Sequence, residues 1–579
     1  MKTKILCIFD GFGLRTQDSN NANALAKMPN FRRTLKDYFW TTLDADGEAV
    51  GQEDGLVGNS EVGHANIGGL KLVPQLSYQI TKSAEYQFSM NKEISPDQLF
   101  DPKQKITDSF DSKKLTQKTI HLISLFSTGC IHSDLRHWVA SIESAGLAGA
   151  ERIILHIISD GRDSDRQSLV ATWQYFVSTH SERLKPFEEK IFLGSLGGRF
   201  YAMDRDKNWD RVKYGLYAMM NLKNFETEAE SQKRFEDGLL IHGYSAGFHN
   251  DVLPTNFEII TSILKDQTET NYVKNKFDET IQPSAIRELS LKNQVISNFQ
   301  IQKNDMVWLM NFRSDRMKQF TTALCDLNKE FGLNLTILSM NDYGIGGEGE
   351  LYYPVFKNKP VTNTLAETIA KQGKTQLHIA ETEKYAHVTF FLNGGVERKF
   401  EGEDWVVIPS NKVNSHAEVP EMKAKEITDY ILEKGLGKYD YIIVNYANPD
   451  MLGHTGDILA SIQSMEFLDQ QFGRLLDAVE NNFHSMILTA DHGNIEFVGS
   501  YDKDGAHLTD TEHNSNPVPC VIIDKTQSIS DLKKKLFPVI NQITDQKNRV
   551  DLTNSWLLEG QIPKPQLPLF VVGMLLLVI

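Results

Sequence analysis

Several short apolar runs along the chain stop abruptly at acidic or polar residues. Lys4 to Phe9 ends at Asp10, Tyr441 to Ala447 ends at Asn448-Pro449-Asp450, and Ser485 to Ala490 ends at Asp491-His492. Their length and β-branched content predict strands buried on both faces, as in a parallel sheet. Between them lie stretches of helical spacing, such as Ile458 to Glu480, with apolar Ile462, Met465, Leu468, Phe472 and Leu476. Strands alternating with helices predict an α/β fold. In open α/β sheets, ligands bind beyond the carboxyl ends of strands, where all three Asp residues stand.

These strand ends come from opposite ends of the chain, so the middle is predicted to be an inserted domain. The middle has strand signals of its own at Thr119 to Leu125, Arg152 to Ile158 and Lys190 to Leu193. The crossovers fall near residues 71–77 and 356–362, the second containing Lys357-Asn-Lys-Pro360. The expected division is 1–74 and 359–560 for the first domain, 75–358 for the insert, and an apolar tail at 561–579. Gly344-Ile-Gly346-Gly-Glu-Gly349 matches a dinucleotide fingerprint. Such a fingerprint needs a helix after it to hold pyrophosphate. Glu350-Leu-Tyr-Tyr-Pro354 is poor helix material, so a loop is expected.

Composition narrows the function classes. Of 579 residues, 40% are apolar and 24% charged, which excludes disordered and fibrous chains. The net charge of −15 argues against general affinity for nucleic acid or anionic membrane. An anionic small substrate then needs a local cluster of Arg or Lys. Cys7, Cys130, Cys325 and Cys520 are scattered, which fits a reducing cytosol. Leu569 to Ile579 is an unbroken apolar run, yet a bilayer span needs about 20 such residues. Its removal is expected to leave activity intact.

Two kinds of residue could carry chemistry. Asp450 and His454, four apart, share a helix face, and Asp with His suits Zn or Mn. Asp491-His492 precede Gly493, which marks a bend, His513 lies in a loop-type sequence, and Asp10 precedes the turn Gly11-Phe-Gly13. Singly, each is as ordinary as a capping Asp or a loop His; together they predict a metal site. Ser60, in Gly58-Asn-Ser-Glu-Val-Gly-His64, is a turn or cap Ser, or a nucleophile whose alkoxide a metal stabilises. Two divalent ions would balance Asp10, Asp450, Asp491 and a Ser60 alkoxide. The insert holds basic residues in turn-like contexts: Arg162 beside Asp163, Arg199 and Arg205, and Arg313 and Arg316, which are neighbours if helical. Arg suits a bidentate grip on carboxylate and phosphate. His132 and Lys384 are isolated basic candidates.

These segments resemble the cofactor-independent (2,3-bisphosphoglycerate-independent) phosphoglycerate mutase family of the alkaline phosphatase superfamily. The matching motifs include Asp10-Gly-Phe-Gly13, Gly58 to His64, Asp160-Gly-Arg-Asp163, Arg199 to Arg205, Asn311 to Arg316, Ala380 to Phe391, Asn445 to Asp450, Thr489 to Asn494 and His513 to Pro519. The resemblance implies an alkaline-phosphatase-like three-layer α/β domain with a second α/β domain inserted. It implies interconversion of 3-phosphoglycerate and 2-phosphoglycerate in glycolysis and gluconeogenesis, by a cytoplasmic monomer. It implies two divalent ions, Mn2+ first, with Mg2+, Co2+ or Zn2+ as alternatives. Asp450, His454 and His513 would hold one ion, and Asp10, Ser60, Asp491 and His492 the other. His132, Arg162, Asp163, Arg199, Arg205, Arg313, Arg316 and Lys384 would bind substrate. Ser60 would be the nucleophile, Asp163 the acid or base, and Lys384 a neutraliser of phosphoryl charge. Phe12 replaces a common Trp, Asp134 replaces a common His, and segments 81–118 and 251–300 diverge. The rival readings are a phosphopentomutase or other metal-dependent phosphatase, a non-catalytic phosphoglycerate-binding paralogue, and a membrane-tethered protein.

Overall fold

The computed structural model describes residues 2–16, 20–89, 119–220, 240–245, 254–291, 294–297, 299–347, 349–357, 360–501, 507–543 and 567–579. Most of the divergent segment 81–118, and residues 561–566 of the tail, lie outside these. The described part of 251–300 includes a helix, Asn256–Tyr272, and a strand, Ser284–Leu291. The chain divides into two units: Met1–Tyr78 with Lys359–Ile579, and Gln79–Asn358.

The first unit is built on an eight-stranded sheet. Its order is Glu403–Ile408, Gln376–Glu381, Tyr441–Tyr446, Lys4–Phe9, Ser485–Thr489, Val518–Ile523, Phe39–Asp44 and Leu567–Pro568. The first five run parallel, and Val518–Ile523 is antiparallel to both neighbours. The three central strands are almost wholly buried, as their apolar runs require. Ile8 lies opposite both Asn445 and Thr489. This register brings Asp10, Asp450 and Asp491 to one end of three adjacent strands.

Helices complete the layers. Ile458–Asn481 starts where the Asp457 carboxylate accepts from the N–H groups of Leu459 and Ala460, both at 3.0 Å. It buries Met465, Leu468, Phe472 and Leu476 against the core. Ser60–Gly69 is capped by Asn59, whose side chain accepts from Val62 N–H. Its glycines let backbones come close: a Cβ at Gly63 would lie 2.6 Å from the Asp491 carbonyl oxygen.

The apolar tail is part of this unit. Leu567–Pro568 pairs parallel with Phe39–Asp44, and Val571–Val578 forms a helix. Leu569, Val571, Val572, Leu575 and Leu576 are fully buried. The helix packs on Ser60–Gly69 and on the strands Lys4–Phe9 and Ser485–Thr489. Gly573 sits so near Ile67 that a Cβ would lie 2.2 Å from its carbonyl oxygen. Lys4 Nζ caps the Leu577 carbonyl at 3.1 Å. The tail thus belongs to the core of this unit, and removing it would uncover a large apolar face. Among the described residues, no helix is long and apolar enough to cross a membrane.

The second unit has a nine-stranded sheet. Eight strands follow the order Tyr353–Pro354, Thr336–Ser339, Met306–Leu309, Thr119–Phe126, Arg152–Ser159, Ile191–Gly198, Ser284–Leu291 and Leu240–Ser245, and Gln294–Ser297 pairs with Ser284–Leu291. The strand expected at Lys190 to Leu193 instead runs to Gly198. Its glycines allow close packing: a Cβ at Gly198 would lie 2.2 Å from the Glu279 carbonyl oxygen. No helix follows Gly344 to Gly349; the short strand Tyr353–Pro354 does, so the loop reading stands.

The tail yields a test. Truncating a buried Leu in a packed core costs about 2–5 kcal/mol. Leu575→Ala should therefore lower the thermal midpoint by several degrees, whereas Leu577→Ala, half-buried, should change it far less. Equal midpoints for the two variants would show that the helix does not dock.

Candidate functional site

In the first unit, the strand ends deliver a tight cluster. Ser60 opens its helix, with Oγ 3.0 Å from Asp10 Oδ1, 2.9 Å from His492 Nε2 and 2.7 Å from Lys384 Nζ. Lys384 Nζ also lies 2.6 Å from Asp10 Oδ1 and 2.5 Å from Asp450 Oδ2. Asp10, Asp450, Asp491, His492 and Lys384 are all buried. Asp450 lies in the helix Asn448–Gly453, and His454 N–H donates to its carbonyl at 3.0 Å. The expected one-turn spacing is therefore realised. Gly11 adopts φ +71°, and a Cβ there would lie 2.8 Å from Asp450.

The imidazoles are oriented as metal ligands usually are, with the distal nitrogen fixed by a hydrogen bond. His454 Nδ1 meets the Thr511 carbonyl at 2.7 Å, and His513 Nδ1 meets the Gly58 carbonyl at 2.9 Å. Each Nδ1 must then carry the proton, which leaves both Nε2 lone pairs free. Those atoms are 3.1 Å apart and lie 3.3 and 3.2 Å from Asp450 Oδ1. Two lone pairs and a carboxylate oxygen at such spacing call for a cation. Asp10, Asp491 and His492 offer a second group of donor atoms within 4.8 Å of one another, and so do Asp450, His492 and His513. His492 is shared between the groups, but Nε2 is 3.6 Å from Asp10 and Asp491 and 4.0 Å from Asp450. It belongs with the former. Asp491 Oδ2 is buried, 3.1 Å from His64 Nδ1 and 3.6 Å from His492 Nε2. The residues present fit a pair of divalent cations.

Lys384 places a positive charge among these carboxylates. Burial pushes the Asp10 and Asp450 carboxyls up, but Lys384 and the neighbouring imidazoles more than offset it and hold both well below the usual range. Burial opposes charge on Lys384, yet Asp10, Asp450 and Asp491 raise its pKa. The same carboxylates overcome burial at His492 and lift it to about 9.

In the second unit, the basic residues follow the same strand-end logic. His132, Arg162 with Asp163, Arg199, and Arg313 with Arg316 come after four adjacent strands. Arg199 is buried, with Nη1 2.6 Å from Asp160 Oδ1 and 2.5 Å from Asp163 Oδ2. Arg162, Arg205 and Arg313 are more than half exposed, at 56%, 52% and 52%. Arg205 and Arg313 flank Asp315 at 3.3 and 3.0 Å, so they hold weak surface pairs that an anion could displace. Arg316 is lowered by burial and by the nearness of Arg205, Arg199 and Arg162. Burial, Arg199 and Arg313 lower His132 to about 4, so it stays neutral near pH 7. Arg313 and Arg316 lie in a turn ahead of the helix Lys318–Glu330, not within a helix.

Sequence reasoning missed the residues that aim these groups. Asp160 accepts from Ser127, Arg199 and the N–H groups of Arg162 and Asp163, which fixes that turn. Asn445 donates to Asp10 Oδ2 at 2.6 Å and to His64 Nε2 at 3.0 Å. His64 therefore carries its proton on Nδ1, facing the Ser60 carbonyl and Asp491 Oδ2. His64 and Asn445 sat inside motifs already singled out, so proximity in sequence was the available signal.

Comparisons place the chain among known proteins. The model of the Metalloenzyme superfamily matches residues 2–545. A 2,3-bisphosphoglycerate-independent phosphoglycerate mutase of Clostridium novyi is 36% identical over 544 residues, covering 92% of this chain and 94% of that protein. The corresponding protein of Clostridium kluyveri is 34% identical over 572 residues, covering 96% and 99%. A crystal structure of Leishmania mexicana phosphoglycerate mutase at low cobalt concentration is 25% identical, with a TM-score of 0.49 over 91% of this chain and 90% of that one.

The turn that delivers Lys384 contains a testable group. Glu381 is buried at the end of its strand, and burial raises it to about 7 despite a hydrogen bond from Ser410. An unfolded Glu ionises near about 4.3. The native chain thus keeps a proton that the unfolded chain loses, and this contribution to stability disappears as pH rises through 7. Relative to wild type, Glu381→Gln should gain thermal midpoint between pH 5 and pH 8. A constant difference across that range would refute the assignment.

Proposed function

The chain belongs to the Metalloenzyme superfamily and, within it, to the 2,3-bisphosphoglycerate-independent phosphoglycerate mutases, and from that premise we propose that it moves a phosphoryl group between the 3- and 2-hydroxyls of glycerate through Ser60. The observation that carries this reading is Ser60 Oγ at a helix N-terminus, within 3.0 Å of Asp10, His492 and Lys384. The helix N-terminus favours negative charge on that oxygen. Asp450, His454 and His513 would hold one ion, and Asp10, Ser60, Asp491 and His492 the other. Mn2+ is the expected ion, and a bound pair would supply Lewis-acid charge that favours an alkoxide and screens phosphoryl oxygens.

The chain's own residues account for the rest of the reaction. Ser60 Oγ attacks phosphorus, the bond from phosphorus to the glycerate oxygen breaks, and a phosphoserine forms. Asp163 would return a proton to the departing glycerate oxygen and later take one from the other hydroxyl. That hydroxyl then attacks the phosphoserine and frees Ser60. Lys384 faces the charge that develops on the phosphoryl group. The half-exposed Arg162, Arg205 and Arg313, with Arg199, Arg316 and neutral His132, would grip the carboxylate and phosphate of the acid. The four cysteines are free thiols, in keeping with a cytoplasmic enzyme of glycolysis and gluconeogenesis. The resemblance further implies a monomer.

An enolase-coupled assay on the purified chain, without 2,3-bisphosphoglycerate, tests the reading. Turnover of 3-phosphoglycerate should require Mn2+ or a similar ion, stop with chelator, and fall by at least a thousandfold in Ser60→Ala. Activity that needs added bisphosphoglycerate, survives full metal removal, or persists in Ser60→Ala would overturn it. Preference for pentose phosphates would favour the phosphopentomutase alternative.

A further inference from the structure

Three of the loops that carry the predicted ligands meet at one buried side chain that belongs to none of the sets above. Glu496 is fully buried in the first unit. Its Oε2 accepts from the backbone N–H of Gly13 at 2.9 Å and of Asn494 at 3.0 Å. Its Oε1 accepts from Asn516 Nδ2 at 3.1 Å. Gly13 is three residues after Asp10, Asn494 is two after His492, and Asn516 is three after His513. One carboxylate thus ties together the turns that present ligands to both ions.

The surroundings are shaped for that carboxylate. A Cβ at Gly13 would lie 2.1 Å from Glu496 Oε1, and one at Gly493 would lie 2.4 Å from the same atom. Both positions must therefore stay without side chains while Glu496 keeps its place. Further backbone bonds close the same junction: Ile495 N–H to the Gly11 carbonyl, Leu14 N–H to the Pro517 carbonyl, and Asn514 N–H to the Gly493 carbonyl. These fix neighbouring backbones in pairs, whereas, among the described residues, Glu496 joins all three turns. A buried acceptor facing three donors is costly to remove, because the donors are left without partners.

We propose that Glu496 is a positioning residue that sets the spacing of the two cation sites by holding the turns after Asp10, His492 and His513 in register. It touches neither substrate nor reacting atoms. The proposal rests on the two-ion reading above, and its effect is on metal affinity before it is on turnover.

The test is titration of the metal-free full-length protein with Mn2+, following the free-ion electron paramagnetic resonance signal. Wild type should bind two ions. Glu496→Ala should keep its far-ultraviolet circular dichroism and weaken Mn2+ binding at least tenfold at both sites, while KM for 3-phosphoglycerate at saturating Mn2+ stays within twofold. Glu496→Gln keeps an acceptor for the two backbone donors, and the Asn516 amide can turn to match it. It should recover affinity to within about threefold, which a loss caused only by disturbed packing would not predict. Asn516→Ala, at a half-buried position, removes one arm and should weaken one ion while sparing the other, and it decides the matter if Glu496→Ala does not fold. Wild-type affinity in both Glu496→Ala and Asn516→Ala overturns the proposal, as does failure of Glu496→Gln to recover. If Glu496→Ala does not fold, wild-type affinity in Asn516→Ala alone overturns it. A wild type that binds no Mn2+ would instead overturn the two-ion reading itself.

Discussion

Asp10, Asp450 and Asp491 are held together out of water, where like charges repel. At an effective dielectric near 20, two unit charges about 4 Å apart cost roughly 4 kcal/mol. Offsetting that repulsion organises the first unit. Lys384 lies between two of the carboxylates. Asn445 donates to Asp10, Gly11 N–H donates to Asp491 and Asn494 donates to Asp450. His454 and His513 turn their Nε2 lone pairs toward Asp450. A cluster this crowded with acceptors favours cations.

The second unit uses the same architecture with the opposite sign. A largely parallel sheet again presents its chemistry at strand ends, but here arginines dominate. Arg199 is fixed by two carboxylates, so it acts as a preset donor with little entropy left to lose. The more exposed arginines keep weak partners, which suits groups that must bind and release an anion. This division also explains how a chain of net charge −15 can serve an anionic substrate. Part of its negative charge lies on the carboxylate cluster of the first unit, and arginines gather at strand ends of the second.

Much of this was legible because strand ends leave a strong signature. An apolar run that stops at Asp marks both an element and a site, and the three such runs become adjacent strands. Histidines of the cluster were visible through spacing, as His454 was, or through a following glycine, as His492 was. What the sequence hid falls into two kinds. Glycines such as Gly197 and Gly198 are needed where another backbone comes near, and that neighbour is distant in sequence. Residues such as Glu381, Asp160 and Glu496 act by accepting hydrogen bonds from backbone, which any sequence can supply, so nothing in the partners' identity reveals them. Arg313 and Arg316, three apart, fit a helix as well as a turn, and the chain forms the turn.

The tail shows the same limit from the other side. An eight-residue apolar helix is marginal alone, and nothing in its sequence names what it covers. The layer logic of an α/β sheet does: a strand buried on both faces needs apolar cover on each. The Lys4–Phe9 and Ser485–Thr489 strands deliver Asp10 and Asp491, and the Ser60 helix lies beside them. The tail helix packs on all three, with Gly573 pressed against Ile67 on the Ser60 helix. A run that resembles a membrane segment by composition is thus the cover for the elements that carry Ser60, Asp10 and Asp491. Its apolar character follows from that position, because a polar residue at Val572 or Leu576 would be buried without water to satisfy it.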